Sequence, residues 1–442
     1  MRTPNRGRWP SLLAAFAMLL GLVAGPLLGT ARAQDQVELR VWDQFVEEPG
    51  NTVAQGLYDS FMAANPNIKI VREAIQNDQL RQTVNTAISS GTGPDVIFYD
   101  AGPGYAGVLA SAGMLLPLDD YAAKYGWGEK IAAPSKEQTT IDGKWYGLPL
   151  QVDLIGMYYN KTLLDKEGLK VPTTLDELKT FCGEATAKGF TPIAFADNPG
   201  WQAFHQFSMT ANQMIGPEAM QKLLFDNEGS WDTPEIVTAI KSYFVDLRDA
   251  GCFPKDPAAI SYDDGNSLFF NGQALLHTTG SWLVASIEEN MPDYEVGFVP
   301  FPEIPGGKGP VWISGVGSAF YITSKSEHPD EAAMLLDYLF SQESVAKWTG
   351  EAKYFVPVKF DTSTVELGPL SKEIVGVLQS ANAPDAPKFG YNVDVLAPPQ
   401  FNDVMKNGFQ SILAGQKTPE QEATDLEAAW KAGMAAAGTP AP

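Results

Sequence analysis

The chain has 442 residues, 44% apolar and 19% charged, with 53 acidic side chains against 31 basic ones and a formal charge of -22. That composition is ordinary for a globular protein of two or three domains. So acidic a surface repels nucleic acid and anionic lipid, which excludes both as partners.

The first 33 residues read separately. MRTPNRGRWP carries three arginines and no acid, an apolar run from Ser11 to Gly29 follows, and Ala31-Arg32-Ala33 is a small-x-small site. This is the pattern of a secretory signal peptide (residues 1–33) cleaved after Ala33. An uncleaved membrane anchor is the competing reading, and Gly21, Gly25 and Pro26 within the run argue against it. No cysteine stands near the cleavage point, so a lipid-anchored N-terminus is not expected. The expected product is periplasmic and free in solution.

Next, Val37 to Trp42 alternates like a strand. Residues 52–65 have helical spacing of Val53, Leu57 and Phe61 and stop at Asn65-Pro66. Ile68 to Val71 is a strand, residues 79–90 form a helix with Leu80, Val84 and Ile88 on one face, and Asp95 to Tyr99 is a third strand. Strand–helix–strand–helix–strand predicts an α/β chain with a mostly parallel sheet. In such sheets ligands gather at the carboxyl ends of the strands. Those ends carry Asp43 and Gln44, then Tyr99, Asp100 and the glycine-rich AGPGY.

Residues 143–149 and 152–160 are extended. A helix over 174–188 starts at Thr173 or Thr174, with Glu177 placed for a capping box. A short strand at 193–196 leads to Asp197-Asn198-Pro199-Gly200-Trp201, and 234–250 is helical. Residues 268–281 read as a strand ending at Gly280-Ser281, with Trp282 directly behind. Strands at 294–300 and 318–323, a helix at 329–340 and helices at 400–413 and 419–434 complete the chain. The two cysteines, Cys182 and Cys252, are more often bridged than free in an oxidising compartment, although separate buried thiols and a redox pair remain open.

Catalytic and metal motifs are missing. The three histidines are far apart, with no His-Glu-x-x-His or Cys/His spacing, no Gly-x-Ser-x-Gly elbow and no phosphate-binding Gly-rich loop. No cofactor or metal is expected. Aromatics instead stand beside turns and strand ends: Trp42, Tyr99, Trp201, Trp282 and Trp312. Trp42 taken alone reads as core. Trp201 and Trp282 each follow a small-residue turn, where an indole face can meet the flat C–H face of a pyranose. Asp43, Gln44, Asp100 and Asp153 supply acceptors and amides for its hydroxyls. Unpaired buried carboxylates are costly, so such a set suits a polyol.

GPDVIFYDAG (93–102), KWYGLPLQVDLIGMYYNKTLL (144–164), FFNGQALLHTTGSWL (269–283) and EHPDEAAMLLDYLFSQESVAKW (327–348) occur in this order. Together they resemble the extracellular solute-binding proteins of ABC importers, in the group that includes maltose-binding protein. The resemblance implies a two-lobed periplasmic-binding-protein fold. Each lobe is a mixed, mostly parallel sheet flanked by helices, and hinge crossovers join the lobes. The segments would be 34–148 and 294–345 in lobe 1 and 149–293 and 346–442 in lobe 2. It implies a monomer that closes on a mono- or oligosaccharide and hands it to a membrane permease without catalysis. By position it makes Trp282 the stacking residue and Asp153 a hinge-side acid. Asp43, Gln44, Tyr99 and Asp100 become strand-end contacts, Trp201 a second-lobe aromatic, Gly315 a turn near the ligand and Phe401 a late-helix aromatic. Arginine is scarce near these positions, which disfavours an anionic ligand. The competing readings are a binder of polyamine, glycerol phosphate or another small polar solute, and a secreted carbohydrate-active enzyme with a positioned acid pair.

Overall fold

The alternation that marks Val37 to Trp42 as a strand places Leu39 and Val41 on one face and Trp42 on the other, and both faces are covered. In the computed structural model, which describes residues 36–358, 360–380 and 388–436, this strand (Val37–Asp43) lies between Ile68–Ala74 and Val96–Asp100, parallel to both. Ser318–Ile322 adds antiparallel to Val96–Asp100, and Gly147–Pro149 closes that edge. The helices Gly50–Ala64 and Pro329–Leu339 cover one face through Leu57, Phe61, Leu335 and Leu339, while Asn77–Ser90 covers the other through Leu80, Val84 and Ile88.

A second sheet forms around the long strand Val152–Asn160. Ala274–Gly280, Val296–Val299 and Trp312–Val316 all pair with it antiparallel. Thr191–Ile193 and Phe389–Tyr391 extend the sheet in parallel. The strands Val296–Val299 and Trp312–Val316, expected in the second segment of lobe 1, therefore belong to the second sheet. Conversely, Trp348 and Val356 pack in the core of the first sheet, beyond the expected end of that segment at 345. The strand 268–281 expected from sequence is in fact the helix Tyr262–Phe270, a turn at Gly272 (φ +67°) and the strand Ala274–Gly280.

The chain passes between the sheets at 149–152 and again at 316–318, and Val152 N–H donates to Phe355 O at 2.9 Å beside them. These two adjacent passages make a hinge of short extended segments. Among the described residues no helix is long and apolar enough to cross a membrane, and residues 1–33 lie outside the described ones.

Helix starts follow the sequence signals. Thr174 Oγ1 accepts from Glu177 N–H at 3.2 Å, and the Glu177 carboxylate accepts from Thr173 N–H at 2.8 Å, so the box spans both threonines. The helix it starts, Leu175–Ala187, carries Cys182, which is bridged to Cys252 with Cα atoms 5.0 Å apart. Closing 70 residues of sequence restricts the unfolded chain. A Cys182→Ser/Cys252→Ser variant is expected to lose about 2–4 kcal/mol of stability. Guanidinium unfolding under non-reducing conditions reads this as a lower midpoint, and an unchanged midpoint would refute a stabilising role.

Candidate functional site

The two sheets enclose a cleft of about 480 Å³ at the hinge. Its floor is built from the crossing segments. Asp153, 6% exposed, accepts from Gln151 Nε2 at 3.0 Å on each oxygen and from Ser281 Oγ at 3.2 Å. Burial pushes its carboxyl up to about 6, against the hydrogen bonds of Gln151 and Ser281. Gly317 faces it, and a Cβ there would overlap the Asp153 carboxylate. Gly315 also lines the cleft, but it sits within the strand Trp312–Val316 and not in a turn. Gly317 is thus the glycine that the close approach requires.

One wall is aromatic. Trp282 lies in a 3-10 turn, Ser281–Leu283, and its indole folds back over Gly280, where a Cβ would overlap the ring. Trp282 Nε1–H donates to Tyr262 Oη at 2.7 Å, and Tyr262 Oη lies 3.2 Å from Thr279 Oγ1. Trp201 stands 4.8 Å from the Tyr262 ring and 6.3 Å from Trp282, with His205 5.0 Å from Trp282. These rings form one continuous patch, and Trp201, Tyr262 and Trp282 are each only partly buried. Burial, with the Arg81 charge adding, pushes the His205 imidazole down to about 3, so the ring is neutral near pH 7.

The opposite wall is polar. Asp100 accepts from Arg81 Nε at 2.7 Å and from Ser318 Oγ at 3.2 Å. Asn77 and Arg81, four residues apart on one helix face, both reach the cleft, as do Gln44, Asn392 and Asp394. Four of the cleft-lining residues hold a buried polar atom without a partner among the described residues: Gln44 Nε2, Asn77 Oδ1, His205 Nδ1 and Asp394 Oδ1. Orphaned buried polar atoms are costly, and here they cluster in one cavity.

Of the residues singled out from sequence, the structure brings Gln44, Asp100, Asp153, Trp201, Trp282 and Gly315 together in this cleft. Five others are elsewhere. Asp43 is fully buried and forked to Arg72, Nε to Oδ2 at 2.7 Å and Nη2 to Oδ1 at 3.0 Å. Tyr99 and Trp42 face the other side of the first sheet, because strand side chains alternate and their neighbours Asp100 and Asp43 point the opposite way. Trp312 packs on Phe298 at 5.0 Å, and Phe401 on Trp231 at 4.7 Å, both in the cores of the second sheet. Asn77, Arg81, His205, Tyr262, Asn392 and Asp394 were not read from sequence. The four-residue spacing of Trp201 to His205, which sets both on one helix face, was a usable signal for His205.

The family model of bacterial extracellular solute-binding proteins matches residues 37–346. The chain belongs to this family. The resemblance drawn from the sequence motifs is borne out, and so is the two-lobed fold. Among relatives of this solute-binding protein, the multiple sugar-binding protein of Streptococcus mutans is 27% identical over 330 residues, 71% of this chain and 74% of the relative. The maltotriose-binding protein of Pyrococcus abyssi is 26% identical over 311 residues, 69% of this chain and 63% of the relative. A solved structure from work on xylan utilization by Caldanaerobius polysaccharolyticus superposes with a TM-score of 0.79 at 26% identity, covering 89% of this chain and 99% of that one.

Proposed function

We propose that this protein is the substrate-capturing component of an ABC importer for a mono- or oligosaccharide. It works outside the cytoplasm after its leader is removed, closes on the sugar by hinge motion and delivers it unchanged to a membrane permease. The observation that carries this is the half-buried aromatic patch Trp201–Tyr262–Trp282, set across a narrow cleft from unpartnered acceptors and donors. Indole faces take the C–H face of a pyranose, and the orphaned atoms take its hydroxyls. Relatives named for sugars support the class. Closure moves the polar wall onto the stacked ring, so the orphaned atoms gain partners only in the liganded state.

Thermal unfolding of the purified protein against galactose, raffinose, maltotriose, xylotriose and spermidine tests this. A ligand at a hundred times its dissociation constant adds about 2.7 kcal/mol, a rise of a few degrees. A rise with one sugar class, and that sugar recovered intact, is expected. A rise with spermidine alone would instead assign the cleft's carboxylates, Glu47, Asp78 and Asp263 among them, to a cationic solute. A sugar recovered cleaved would make the protein an enzyme.

A further inference from the structure

Asp394 reaches the cleft from the C-terminal part of the chain, after the residues 37–346 that the family model matches. The strand Phe389–Tyr391 runs parallel to Trp312–Val316, with Trp312 beside Phe389 and Ser314 beside Tyr391. The chain therefore leaves the sheet next to Gly315, and Asn392 Cβ lies 3.6 Å from where a Gly315 Cβ would be. The following residues are clamped between the lobes. A Cβ on Gly102 (φ +91°) would overlap the Val395 carbonyl, and one on Gly104 would lie 2.9 Å from Asn402 Nδ2. Asn402 Nδ2 in turn donates to Asp394 O at 2.9 Å. The AGPGY loop of the first lobe, smoothed by two glycines, presses on this segment and fixes the Asp394 backbone.

The side chain is held differently. Asp394 is 3% exposed, and its Oδ1 has no partner among the described residues. Burial pushes the carboxyl up to about 7, with the Asp100 charge adding and the Arg81 charge and the backbone N–H groups of Asp394 and Val395 opposing. Arg81 shares the cleft wall. Its Nε is spent on Asp100, its guanidinium lies 4.7 Å over the Tyr105 ring, and its Nη1 is 3.9 Å from Asp78. Neither Nη atom makes a hydrogen bond among the described residues. One buried acceptor and one oriented donor thus face the same cavity unspent.

We infer that Asp394 and Arg81 act as one reading pair for two adjacent hydroxyls of the bound sugar, the carboxylate accepting from one and the guanidinium donating to the other. This rests on the sugar-binding reading of the cleft and adds what selects among sugars. The class it names is neutral sugars with a free vicinal diol at that edge. Uronates and sugar phosphates are disfavoured there, because Asp78, Asp100 and Asp394 surround the guanidinium.

Titration calorimetry of the full protein and of Asp394→Asn against galactose, raffinose, maltotriose and xylotriose tests the pair. The wild type is expected to prefer one sugar. The variant is expected to lose roughly 10–100-fold on that sugar, the value of a hydrogen bond to a charged group. Its preference over the next-best sugar should shrink as well. The ligand-free melting temperature separates this from a structural role, which would lower stability and leave the ranking of sugars alone. Asp394→Ser serves as a second variant should the amide disturb the fold. A loss below threefold, or an equal loss on every sugar, overturns the inference while the sugar-binding reading stands. A wild type that binds none of the four overturns both.

Discussion

Trp282→Ala is expected to abolish most sugar affinity while leaving the ligand-free protein folded and nearly as stable. The indole is partly exposed, lines the cleft and rests on Gly280, and it packs on the cores of the second sheet only from their edge, so removing it opens the cleft wall more than the core. Its Nε1–H is already committed to Tyr262 Oη, which locks the ring plane before any ligand arrives. A rigid, pre-oriented aromatic spends little entropy on binding. Truncating such an anchor costs roughly 2–4 kcal/mol, about 30–1000-fold in the dissociation constant. Trp282→Phe keeps a flat face but loses the hydrogen bond that orients it, so an intermediate loss is expected. Calorimetry and ligand-free melting, run on the same samples, distinguish the two roles of this residue. Full affinity in Trp282→Ala would end the stacking assignment. A ligand-free destabilisation of about 3 kcal/mol or more would make Trp282 a core residue.

Much of this was legible in the sequence where one local rule governs. The strand Val152–Asn160 was bounded correctly because its run of apolar and β-prone residues has clear polar ends. The capping pattern at Thr173, Thr174 and Glu177 fixed a helix start. The helix Gln202–Ile215 escaped because it is buried on nearly every side, and its polar residues have partners far off in sequence. Gln206 Nε2 donates to Thr278 O at 2.8 Å and Asn212 Nδ2 to Tyr391 O at 2.9 Å, so its polar face is buried too, and the stripe Phe204, Phe207, Ala211 and Met214 passed unread among those polar residues. At the site, the indoles were readable because small-residue turns flank them. Asp394 and Arg81 were not, since nothing near either residue indicates that the chain returns to the hinge after Tyr391. Asp43 shows the reverse error. Its place at a strand end promised a ligand contact, but Arg72, two register positions before the Ala74 paired with Asp43, captures it.

That capture makes Asp43 the site of a large expected stability effect. The Asp43 side chain is fully buried and that of Arg72 is 9% exposed. The carboxylate also accepts from Phe45 N–H at 3.1 Å and Tyr58 Oη–H at 3.2 Å. The guanidinium further donates to Phe45 O at 2.9 Å and Asn51 Oδ1 at 2.8 Å. Burial alone would lower the Arg72 value, but the bonds and charge of Asp43 raise it overall, so the guanidinium stays charged. Asp43→Ala leaves that charge buried without its partner, at a cost of about 3–5 kcal/mol. Replacing both, as Asp43→Leu/Arg72→Met, removes the stranded charge and is expected to recover a large part of the loss. The recovery stays partial, because the Phe45 carbonyl and the Tyr58 hydroxyl lose their partners too. Urea unfolding of the three proteins reads the difference. A single variant within 1 kcal/mol of wild type, or a double variant no better than the single, would remove the ion pair as the anchor of this loop. The anchor matters to the cleft because Gln44 and Phe45, which follow Asp43, line it. The strand-end acid thus serves the site from behind, by holding in place the two residues that the cleft presents.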